Sequence, residues 1–384
     1  MKTNLSIAYI DFGDRFDPNG TSGIERKKLS QIFELEKLGE VKRFAFSPKR
    51  KKSLLGNVSR TLPFFPSTFF FTYDEKQFAG LDVVYFRKPA YIDRYTIKLL
   101  KDIKKQSPKC LILFEIPTYP YDKEKAGLGK YPLLEKDRWN RRKLQKYVDR
   151  IVLVTSKERN IFNIPTICTM NGIDFENTLL REVSPIEQKS IHAIIIANFE
   201  FWHGLDRIIG GLIQYYSAWN EEKPKFTLHI VGDGPGIEKI KQQCKENGIE
   251  KYVLLHGSLS FTEITKVYNQ VSLAINSIGR HRITGTRIDS SIKSREYAAK
   301  GLPIITEKGI SIDYVPENYP YVLEIPADES LLDIESVIAF HDRIYTGNDP
   351  VGIADNIRTF AKDRCSSEAM MQPVLTYARE ILSK

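Results

Sequence analysis

Short apolar runs alternate with segments of helical periodicity along almost the whole chain. In the first half, the strand-like runs are Leu5–Ile10, Val41–Phe46, Val83–Phe86, Leu111–Glu115 and Ile151–Val154. Segment 23–38 carries an apolar stripe at helical spacing, and helices are also predicted over 92–105 and 134–147. Apolar runs that alternate with amphipathic helices predict a parallel sheet covered by helices on both faces.

A second alternating series follows the polar, proline-containing segment 180–190, which we interpret as a linker. Its predicted strands are Ala193–Ala197, Phe226–Val231, Val253–His256, Leu273–Asn276 and Leu302–Thr306, and its predicted helices cover 205–216, 236–247, 261–268 and 292–300. We therefore predict an α/β protein with two doubly wound, Rossmann-like parallel-sheet domains. They comprise residues 1–180, rejoined by a C-terminal helix over 362–384, and residues 181–361. Ligands of such sheets bind beyond the carboxyl ends of the strands, so a cleft between two facing domains is expected.

The composition agrees with two domains of an ordinary cytoplasmic protein. A chain of 384 residues exceeds the size of one core, and 42% hydrophobic with 27% charged residues is typical of soluble globular proteins. Cys110, Cys168, Cys244 and Cys365 lie far apart, which argues against a zinc site or a disulfide framework and fits a reducing compartment. The run Leu5–Ile10 is too short for a secretion signal, and no run approaches the roughly 20 apolar residues of a membrane span.

The net charge of +9 is concentrated in one region. Residues 41–110 contain 16 Lys and Arg residues against 5 Asp and Glu residues, and the basic run 48–52 precedes the aromatic stretch 62–71. A solvated basic face accounts for this pattern. Contact with an anionic membrane surface accounts for it equally, whereas binding of nucleic acid lacks any supporting motif.

Segment 290–306 carries the chemistry that suits a nucleotide. Ser290 and Ser291 open a predicted helix whose N-terminal amides and dipole favour a diphosphate. Lys293 and Glu296, three residues apart, share one face of that helix. An ammonium group neutralises phosphate and a carboxylate accepts hydrogen bonds from ribose hydroxyls, although an exposed ion pair on an amphipathic helix fits the same pattern.

Five segments occur together in a recognisable order: Thr169–Asp174, Ile196–Arg207, Leu228–Gly236, Leu255–Ser260 and Lys293–Pro303. Their order and spacing resemble those of the retaining nucleotide-sugar glycosyltransferases of family four, which have the GT-B architecture. The resemblance implies transfer of a hexosyl group from a UDP- or GDP-linked sugar to an acceptor hydroxyl, with retention. Because the sequence has no Asp-rich cluster suited to a divalent metal, we expect a metal-independent reaction without a cofactor. It implies no particular catalytic side chain.

The resemblance and the residue types together indicate which residues form the binding sites. The donor-side candidates are Gly20, Gly23, Asn198, His203, Gly257, Ser258, Leu259, Arg287, Ser290, Ser291, Lys293 and Glu296. The acceptor-side candidates, at the end of a predicted strand, are Glu115, Thr118 and Tyr119. Three of these residues have a plainer interpretation: Gly20 and Gly23 also fit an ordinary helix start, and Glu115 also fits a carboxylate paired at a strand end.

The chain departs from the family pattern at two places. Asn198 and His203 occupy the positions of an Arg and a Lys that usually contact the donor phosphates, and His203 is either neutral or protonated there. Ile288 occupies the position of the first of two glutamates. The basic loop 279–290 is a candidate replacement for the missing cations, and a flexible surface loop is the alternative.

These departures leave rival functions open. A non-catalytic GT-B scaffold or partner subunit with a decayed donor site fits the missing glutamate, and a nucleotide-sugar epimerase shares the architecture. A dehydrogenase is disfavoured, because the glycines of segment 232–236 lack the dinucleotide-binding spacing. The basic, Phe-rich first half favours a lipid-linked or other membrane-bound glycan acceptor, as in polysaccharide biosynthesis, for a cytoplasmic enzyme held peripherally at the membrane.

Overall fold

The computed structural model describes residues 4–13, 23–47, 49–50, 69–70, 72–122, 131–154, 156–185, 187, 189–283, 288–309 and 311–383. The chain divides into two compact units. Unit 1 comprises Met1–Asn171 with Ser367–Lys384, and unit 2 comprises Gly172–Ser366. None of the described helices has the length and hydrophobicity needed to span a bilayer.

Unit 1 is built on a sheet of seven strands in the order β2-β1-β5-β6-β7-β9-β8. Its pairs are parallel except the hairpin of β8 with β9. The strands of the unit are β1 (Leu5–Phe12), β2 (Gly39–Phe46), β3 (Lys49–Arg50), β4 (Phe69–Phe70), β5 (Val83–Arg87), β6 (Leu111–Ile116), β7 (Arg150–Leu153), β8 (Asn160–Ile161) and β9 (Ile164–Cys168), with β3 and β4 forming a separate antiparallel pair. Its helices are α1 (Gly23–Glu36), α2 (Arg94–Gln106), α3 (Tyr131–Arg141) and the C-terminal α10 (Ser367–Leu382).

Both faces of this sheet are covered, as the alternation of apolar runs predicts. On one face, Tyr9 and Tyr85 of the sheet share a buried cluster with Leu35 of α1 and Val374 of α10. On the other face, Phe86 and Phe114 pack in a second cluster that includes Leu99 of α2. Successive residues of a strand thus reach opposite cores, which is why β5 and β6 are buried along their whole length and are apolar except for Arg87 and Glu115.

Unit 2 contains a parallel sheet of six strands in the order β12-β11-β10-β13-β15-β17. Its strands are β10 (Ser190–Ile196), β11 (Lys225–Val231), β12 (Val253–Gly257), β13 (Leu273–Ile275), β14 (Ile288–Asp289), β15 (Ile304–Glu307), β16 (Ser311–Ile312) and β17 (Val322–Ile325), of which β14 and β16 form a small separate pair. Its helices are α4 (Leu205–Ser217), α5 (Ile237–Glu246), α6 (Phe261–Tyr268), α7 (Ile292–Ala299), α8 (Ile334–Tyr345) and α9 (Pro350–Cys365).

The division of the chain differs from the predicted boundaries, which lay at 180/181 and 361/362. Ile173 and Phe175 belong to the apolar core of unit 2, and Arg358 of α9 donates hydrogen bonds to the carbonyls of Phe175 and Thr178, both at 2.6 Å. These contacts attach the segment after residue 171 to unit 2. The predicted helix over 362–384 is instead the end of α9 and the whole of α10, because Ser366 between them is extended, with φ −62° and ψ 154°.

Candidate functional site

The strand order of the second sheet reverses between β10 and β13. In open parallel sheets, a reversal of this kind opens a crevice beyond the carboxyl ends of the two strands, and ligands bind there. Two loops border the crevice: residues 197–204 follow β10, and residues 276–283 follow β13. Both loops, with the start of α7, form the region that we call the switch-point site.

The loop after β10 presents His203 in a defined tautomer. The backbone N–H of Glu200 donates to Nδ1 of His203 at 2.9 Å, so the proton of the neutral ring lies on Nε2. Burial, together with the charges of Lys293 and Arg280, lowers the pKa of His203 to about 4. At neutral pH His203 is therefore a neutral donor through Nε2–H, while Asn198 of the same loop is exposed.

The two loops approach each other closely at two glycines. The N–H of Ile278 donates to the carbonyl of His203 at 3.2 Å. Gly204 has φ +72°, and a Cβ there would lie 2.8 Å from the carbonyl carbon of Ile278. A Cβ on Gly279 would lie 3.1 Å from the nitrogen of Gly204. The loop that carries Ser277 and Arg280 is thus placed against the turn that carries His203.

Lys293 lies in the first turn of α7 and is half-buried. Its Nζ donates to Oγ of Ser277 at 2.7 Å, which connects α7 to the loop after β13. Burial lowers the pKa of Lys293 to about 7, and the carboxylate of Asp289 opposes that shift. Its ammonium group consequently exchanges its proton near neutral pH, and an added anion would favour the charged form.

Asp289 connects the loop after β13 to the start of α7. It is fully buried and accepts hydrogen bonds from Nδ2 of Asn276 at 2.5 Å, from Arg280 at 2.6 Å, and from the N–H and hydroxyl of Ser291 at 3.1 and 3.0 Å. Although burial opposes ionisation, the Arg280 guanidinium and these donors hold the pKa of Asp289 below its usual value. The carboxylate beside Ile288 therefore faces inward and holds Arg280 and the start of α7.

The two serines predicted to open α7 have different roles. Ser291 is the N-cap, and its hydroxyl accepts from the N–H of Ser294 at 3.4 Å. Ser290 is buried, and its hydroxyl accepts from Arg295 at 3.2 Å. The helix start is capped by Ser291, and Ser290 belongs to the packing behind it.

The remaining donor-side candidates of unit 2 lie at the neighbouring strand end and along α7. Gly257 ends β12 with φ +64°, and its carbonyl accepts from the N–H of Gly232 at 2.7 Å. Ser258 is exposed and Leu259 is half-buried against the apolar core. Glu296, one turn beyond Lys293, is 7% exposed. Their contacts with a nucleotide stay predictions.

The acceptor-side candidates belong to unit 1, where Glu115 lies inside a buried polar network. Its carboxylate accepts from Lys27 at 2.8 Å, from Gln31 at 2.9 Å and from the Tyr85 hydroxyl at 2.9 Å, with Arg87 at 3.6 Å. Burial disfavours its charge, but Arg87 and Lys27 outweigh burial and lower the pKa of Glu115 to about 2. Glu115 thus has the geometry of a carboxylate paired at a strand end, which is the plainer interpretation of this residue.

Other candidates fall at the surface of unit 1 or outside the described residues. Thr118 and Tyr119 are half-buried, and the Tyr119 ring contacts those of Tyr121 and Phe162 at centroid distances of 6.5 and 6.1 Å. Gly23 is the first residue of α1. Three predicted features lie outside the described residues: Gly20, Arg287 and most of the basic and aromatic stretch 48–71.

The sequence pattern pointed to the basic loop as a whole but did not single out Arg280 or the inward role of Asp289. The described part of the loop is held by ion pairs rather than left free. Arg282 contacts Asp206 of α4 at 2.8 and 2.9 Å, and His281 contacts Glu307, at the end of β15, and Glu329. These three acidic partners lie 76, 26 and 48 residues away along the chain, so no local sequence pattern reveals the contacts.

Taken together, three basic groups and two helix starts border the crevice. His203 offers a neutral N–H, Lys293 an ammonium group near its pKa and Arg280 a guanidinium, while α4 and α7 begin beside them. Such a combination suits a diphosphate, because helix N-terminal amides and cations both stabilise phosphate oxygens. Among the described residues, no group of three His, Cys, Asp or Glu side chains is arranged to hold a metal ion.

Comparison with known proteins agrees with this geometry. Residues 193–326 match the model of the family described as glycosyl transferases group 1. That segment begins within β10, runs through β17 and contains both loops of the switch-point site. Among curated proteins, no sequence matches this chain.

Solved structures of similar fold cover nearly the whole chain. HepE from Anabaena, in complex with UDP, has a TM-score of 0.63 at 14% identity, over 98% of this chain and 100% of its own. Sucrose-phosphate synthase from Thermosynechococcus elongatus gives 0.64 at 13%, over 99% and 100%. WaaB, a lipopolysaccharide outer core galactosyltransferase, gives 0.58 at 15%, over 99% of both chains. At these identities the likeness shows the fold, which is GT-B with two parallel-sheet α/β domains, and the family match supports a group 1 glycosyltransferase.

Proposed function

We propose that the chain is a hexosyltransferase that uses a nucleotide diphosphate sugar as donor and an acceptor hydroxyl as the second substrate, with retention. The observation that carries this proposal is the cluster of His203, Arg280 and Lys293 at the switch point of the second sheet, within the segment that matches group 1 glycosyltransferases. We assign the donor diphosphate to this cluster and the donor ribose to Glu296.

The chemistry of transfer explains why basic groups are needed there. The bond between the anomeric carbon and the diphosphate oxygen breaks, and the acceptor oxygen bonds to the same face of that carbon. Negative charge builds on the leaving diphosphate, where Nε2–H of His203, the Lys293 ammonium and the Arg280 guanidinium stabilise it. The hydroxyl proton of the acceptor passes to the leaving diphosphate, so the step requires neither a side-chain base nor a metal.

We favour a UDP-linked over a GDP-linked donor. HepE has a similar fold and is known in complexes with UDP and with UDP-glucose. For the acceptor, we propose a lipid-linked or other membrane-bound glycan precursor, used by an enzyme at the cytoplasmic surface of the membrane. The excess of Lys and Arg over residues 41–110, close to the aromatic stretch 62–71, supports that choice.

The decisive experiment is a screen of donor turnover. The purified protein is incubated with UDP- and GDP-linked hexoses, and release of the nucleoside diphosphate is measured beside a Lys293→Met variant. We expect slow hydrolysis of one donor by the parent, accelerated by a membrane extract that contains acceptor. Binding of a nucleotide without any turnover indicates a non-catalytic scaffold, and conversion to another nucleotide sugar without release indicates an epimerase.

The membrane part of the proposal has its own test. Sedimentation with vesicles containing anionic lipid compares the parent with a Lys49/Arg50/Lys51/Lys52→Gln variant. Each basic residue near an anionic surface contributes about 1 kcal/mol, so the quadruple variant should bind far more weakly and added salt should release the parent. Equal partitioning of both proteins would favour a soluble acceptor.

A further inference from the structure

Arg207 is a buried guanidinium in unit 2 that contacts main-chain oxygens rather than a close carboxylate. It is 1% exposed and lies in the first turn of α4. Its Nε donates to the carbonyl of Ser330 at 2.6 Å, its Nη2 to the carbonyl of Pro326 at 3.0 Å, and its Nη1 to the carbonyl of Ile278. The nearest carboxylate oxygens, those of Asp328 and Glu307, lie 3.8 and 4.0 Å away.

One of these contacts reaches the switch-point site directly. Ile278 is held on both sides, because its carbonyl accepts from Arg207 and its N–H donates to the carbonyl of His203 at 3.2 Å. The residue before it, Ser277, accepts from Lys293 at 2.7 Å. Two residues after it, Arg280 donates to Asp289 at 2.6 Å. Ile278 therefore contacts His203 directly, adjoins the partner of Lys293 and lies two residues before Arg280.

The remaining contacts of Arg207 connect loop 276–283 to the segment after β17. Segment 326–330, which follows β17, supplies two carbonyl acceptors, and the carbonyl of Arg207 itself accepts from the N–H of Leu332 at 3.1 Å. A buried charge costs free energy unless hydrogen bonds compensate it, and here the acceptors come from two loops that are distant in sequence. The guanidinium thus connects α4, the loop after β13 and the segment after β17.

We propose that Arg207 is a positioning residue for the donor diphosphate: its fork of N–H groups fixes loop 276–283, and so sets the spacing of His203, Arg280 and Lys293. This inference rests on the proposed function, because it assigns those groups to the diphosphate. A lysine at this position keeps the charge but lacks the planar fork, so it cannot donate in three fixed directions at once. Arg207→Lys should therefore loosen the loop without emptying the core.

Unit 2 offers a matched control. Arg358 of α9 also donates to three main-chain carbonyls, those of Phe175, Thr178 and Ala299, at 2.6, 2.6 and 2.5 Å. These acceptors lie outside loops 197–204 and 276–283. Arg358→Lys makes the same chemical change in the same unit. It therefore shows how the loss of such hydrogen bonds affects stability when the two loops are not contacted.

The experiment measures binding of UDP and UMP, and of GDP and GMP, to the full chain by calorimetry. The basic groups are assigned to the diphosphate, so the ratio of diphosphate to monophosphate affinity reports their placement. We expect Arg207→Lys to lower that ratio about tenfold, the loss of one charge-assisted hydrogen bond, while monophosphate affinity stays within about twofold. Arg358→Lys should leave the ratio unchanged.

A second variant covers the case in which Arg207→Lys does not fold. Gly279→Ala leaves the arginine in place but sets a Cβ 3.1 Å from the nitrogen of Gly204 and 3.2 Å from the carbonyl of Trp202. It should move the same loop and lower the same ratio. If either folded variant keeps the parent's ratio, or loses monophosphate and diphosphate affinity equally, the positioning role is wrong while the donor site stands. A parent with no preference for diphosphates overturns the donor site and this inference with it.

Discussion

In unit 1, the charged side chains near the carboxyl edge of the sheet are buried and contact one another, whereas in unit 2 the basic groups at the corresponding edge are half-buried and border a crevice. Lys27, Gln31 and Tyr85 surround the carboxylate of Glu115, which is fully buried. His203 and Lys293 are half-buried, and burial lowers the pKa of each. Both edges carry basic side chains, but those of unit 1 are buried and those of unit 2 are half-buried.

The charges at the first edge compensate one another within the fold, whereas the basic groups at the second edge are suited to an anionic ligand. In unit 1 the Lys27 and Arg87 cations keep Glu115 ionised, with its pKa lowered to about 2, so the charges there are already compensated. In unit 2 the charges of Lys293 and Arg280 help to lower the pKa of His203, and the charge of Arg280 also lowers that of Lys293. The buried carboxylate of Asp289 contacts Arg280 and leaves His203 without an acidic partner of its own among these contacts. A diphosphate bound there would relieve the repulsion between Lys293 and Arg280, so we expect the second edge, rather than the first, to gain from an anionic ligand.

The largest expected effect is a loss of stability when Glu115 is removed from the carboxyl edge of the sheet in unit 1. Glu115→Ala leaves Lys27 and Arg87 buried without their carboxylate, and removing one partner of a buried pair costs about 3–5 kcal/mol. Urea unfolding should show this loss as a lower midpoint, with diphosphate binding by the folded protein unchanged. If stability stays near that of the parent while transfer is lost, Glu115 acts on the acceptor instead.

The next effect concerns the second edge. Lys293→Met removes a cation from the diphosphate, and a hydrogen bond to a charged group contributes about 1.5–3 kcal/mol, or roughly 10- to 100-fold in UDP affinity. The pKa of Lys293 is lowered to about 7, so its charged fraction falls as pH rises through that value. UDP affinity of the parent should therefore weaken above about pH 7 by up to tenfold per unit.

Lys293→Arg is the control for that pH dependence. It keeps a charge that does not titrate, so the slope should vanish while affinity is largely retained. Calorimetry of the three proteins between pH 6 and 9 checks this, because the ionisation of the nucleotide is common to all. A slope that persists unchanged in Lys293→Met would assign it to another group.

The sequence predicts the sheet of unit 2 almost strand by strand, and the reason is local. Burial on both faces makes β10, β11 and β13 nearly continuous apolar runs, and capping residues such as Ser260 and Glu263 mark where α6 begins. Lys293 follows from its place at a predicted helix start, and His203 from the family resemblance of the segment after β10.

What the sequence does not show depends on partners that are distant along the chain. Glu115 pairs with Lys27, 88 residues away, and no local pattern distinguishes this buried carboxylate from one that faces a ligand. Asp289 and Arg280 are nine residues apart but meet only because β13 and α7 bring them together. The boundary between the units lies at 171/172 rather than 180/181 for a similar reason, because Phe175 is bound by Arg358 of α9, 183 residues away along the chain.

A further contrast between the units is their histidine content. All six histidines of the sequence fall within unit 2. Three of them form a hydrogen-bonded row across β10, β11 and β12: Nδ1 of His192 lies 2.9 Å from Nε2 of His229, and Nδ1 of His229 lies 3.1 Å from Nε2 of His256. Burial, with the neighbouring rings, lowers the pKa of His229 to about 3.

This row predicts that the two units lose stability at different pH. Because the folded pKa of His229 lies below the unfolded value of about 6.5, the unfolded chain binds more protons below pH 6.5, and unit 2 loses about 1.4 kcal/mol per pH unit for this group. Glu115, with a folded pKa of about 2 against 4.5, acts on unit 1 only below pH 4.5. Hydrogen exchange resolved by segment should show unit 2 opening first as pH falls from 6.5 to 5. His229→Leu should reduce that sensitivity, and equal opening of both units in the parent would contradict it.

The smallest effect distinguishes a neutral from a charged His203. With its pKa lowered to about 4 and Nδ1 occupied by the N–H of Glu200, the ring offers one neutral donor, Nε2–H. A neutral hydrogen bond contributes about 0.5–1.5 kcal/mol, so His203→Ala should weaken UDP binding roughly 2- to 12-fold. His203→Gln, which keeps an N–H, should retain more affinity than the alanine variant.

The measurement is best made in the Lys293→Met background, where the lysine no longer contributes to the pH profile. If His203 binds as a neutral donor, the UDP affinities of Lys293→Met and of the Lys293→Met/His203→Gln double variant should have the same pH dependence between 5 and 8. The contrary result is a UDP affinity that rises more steeply, as pH falls, for Lys293→Met than for the double variant. It would mean that the bound diphosphate favours the protonated ring of His203. His203 would then be a cation at the second edge, like Lys293, and His203→Lys would be expected to restore more affinity than His203→Gln.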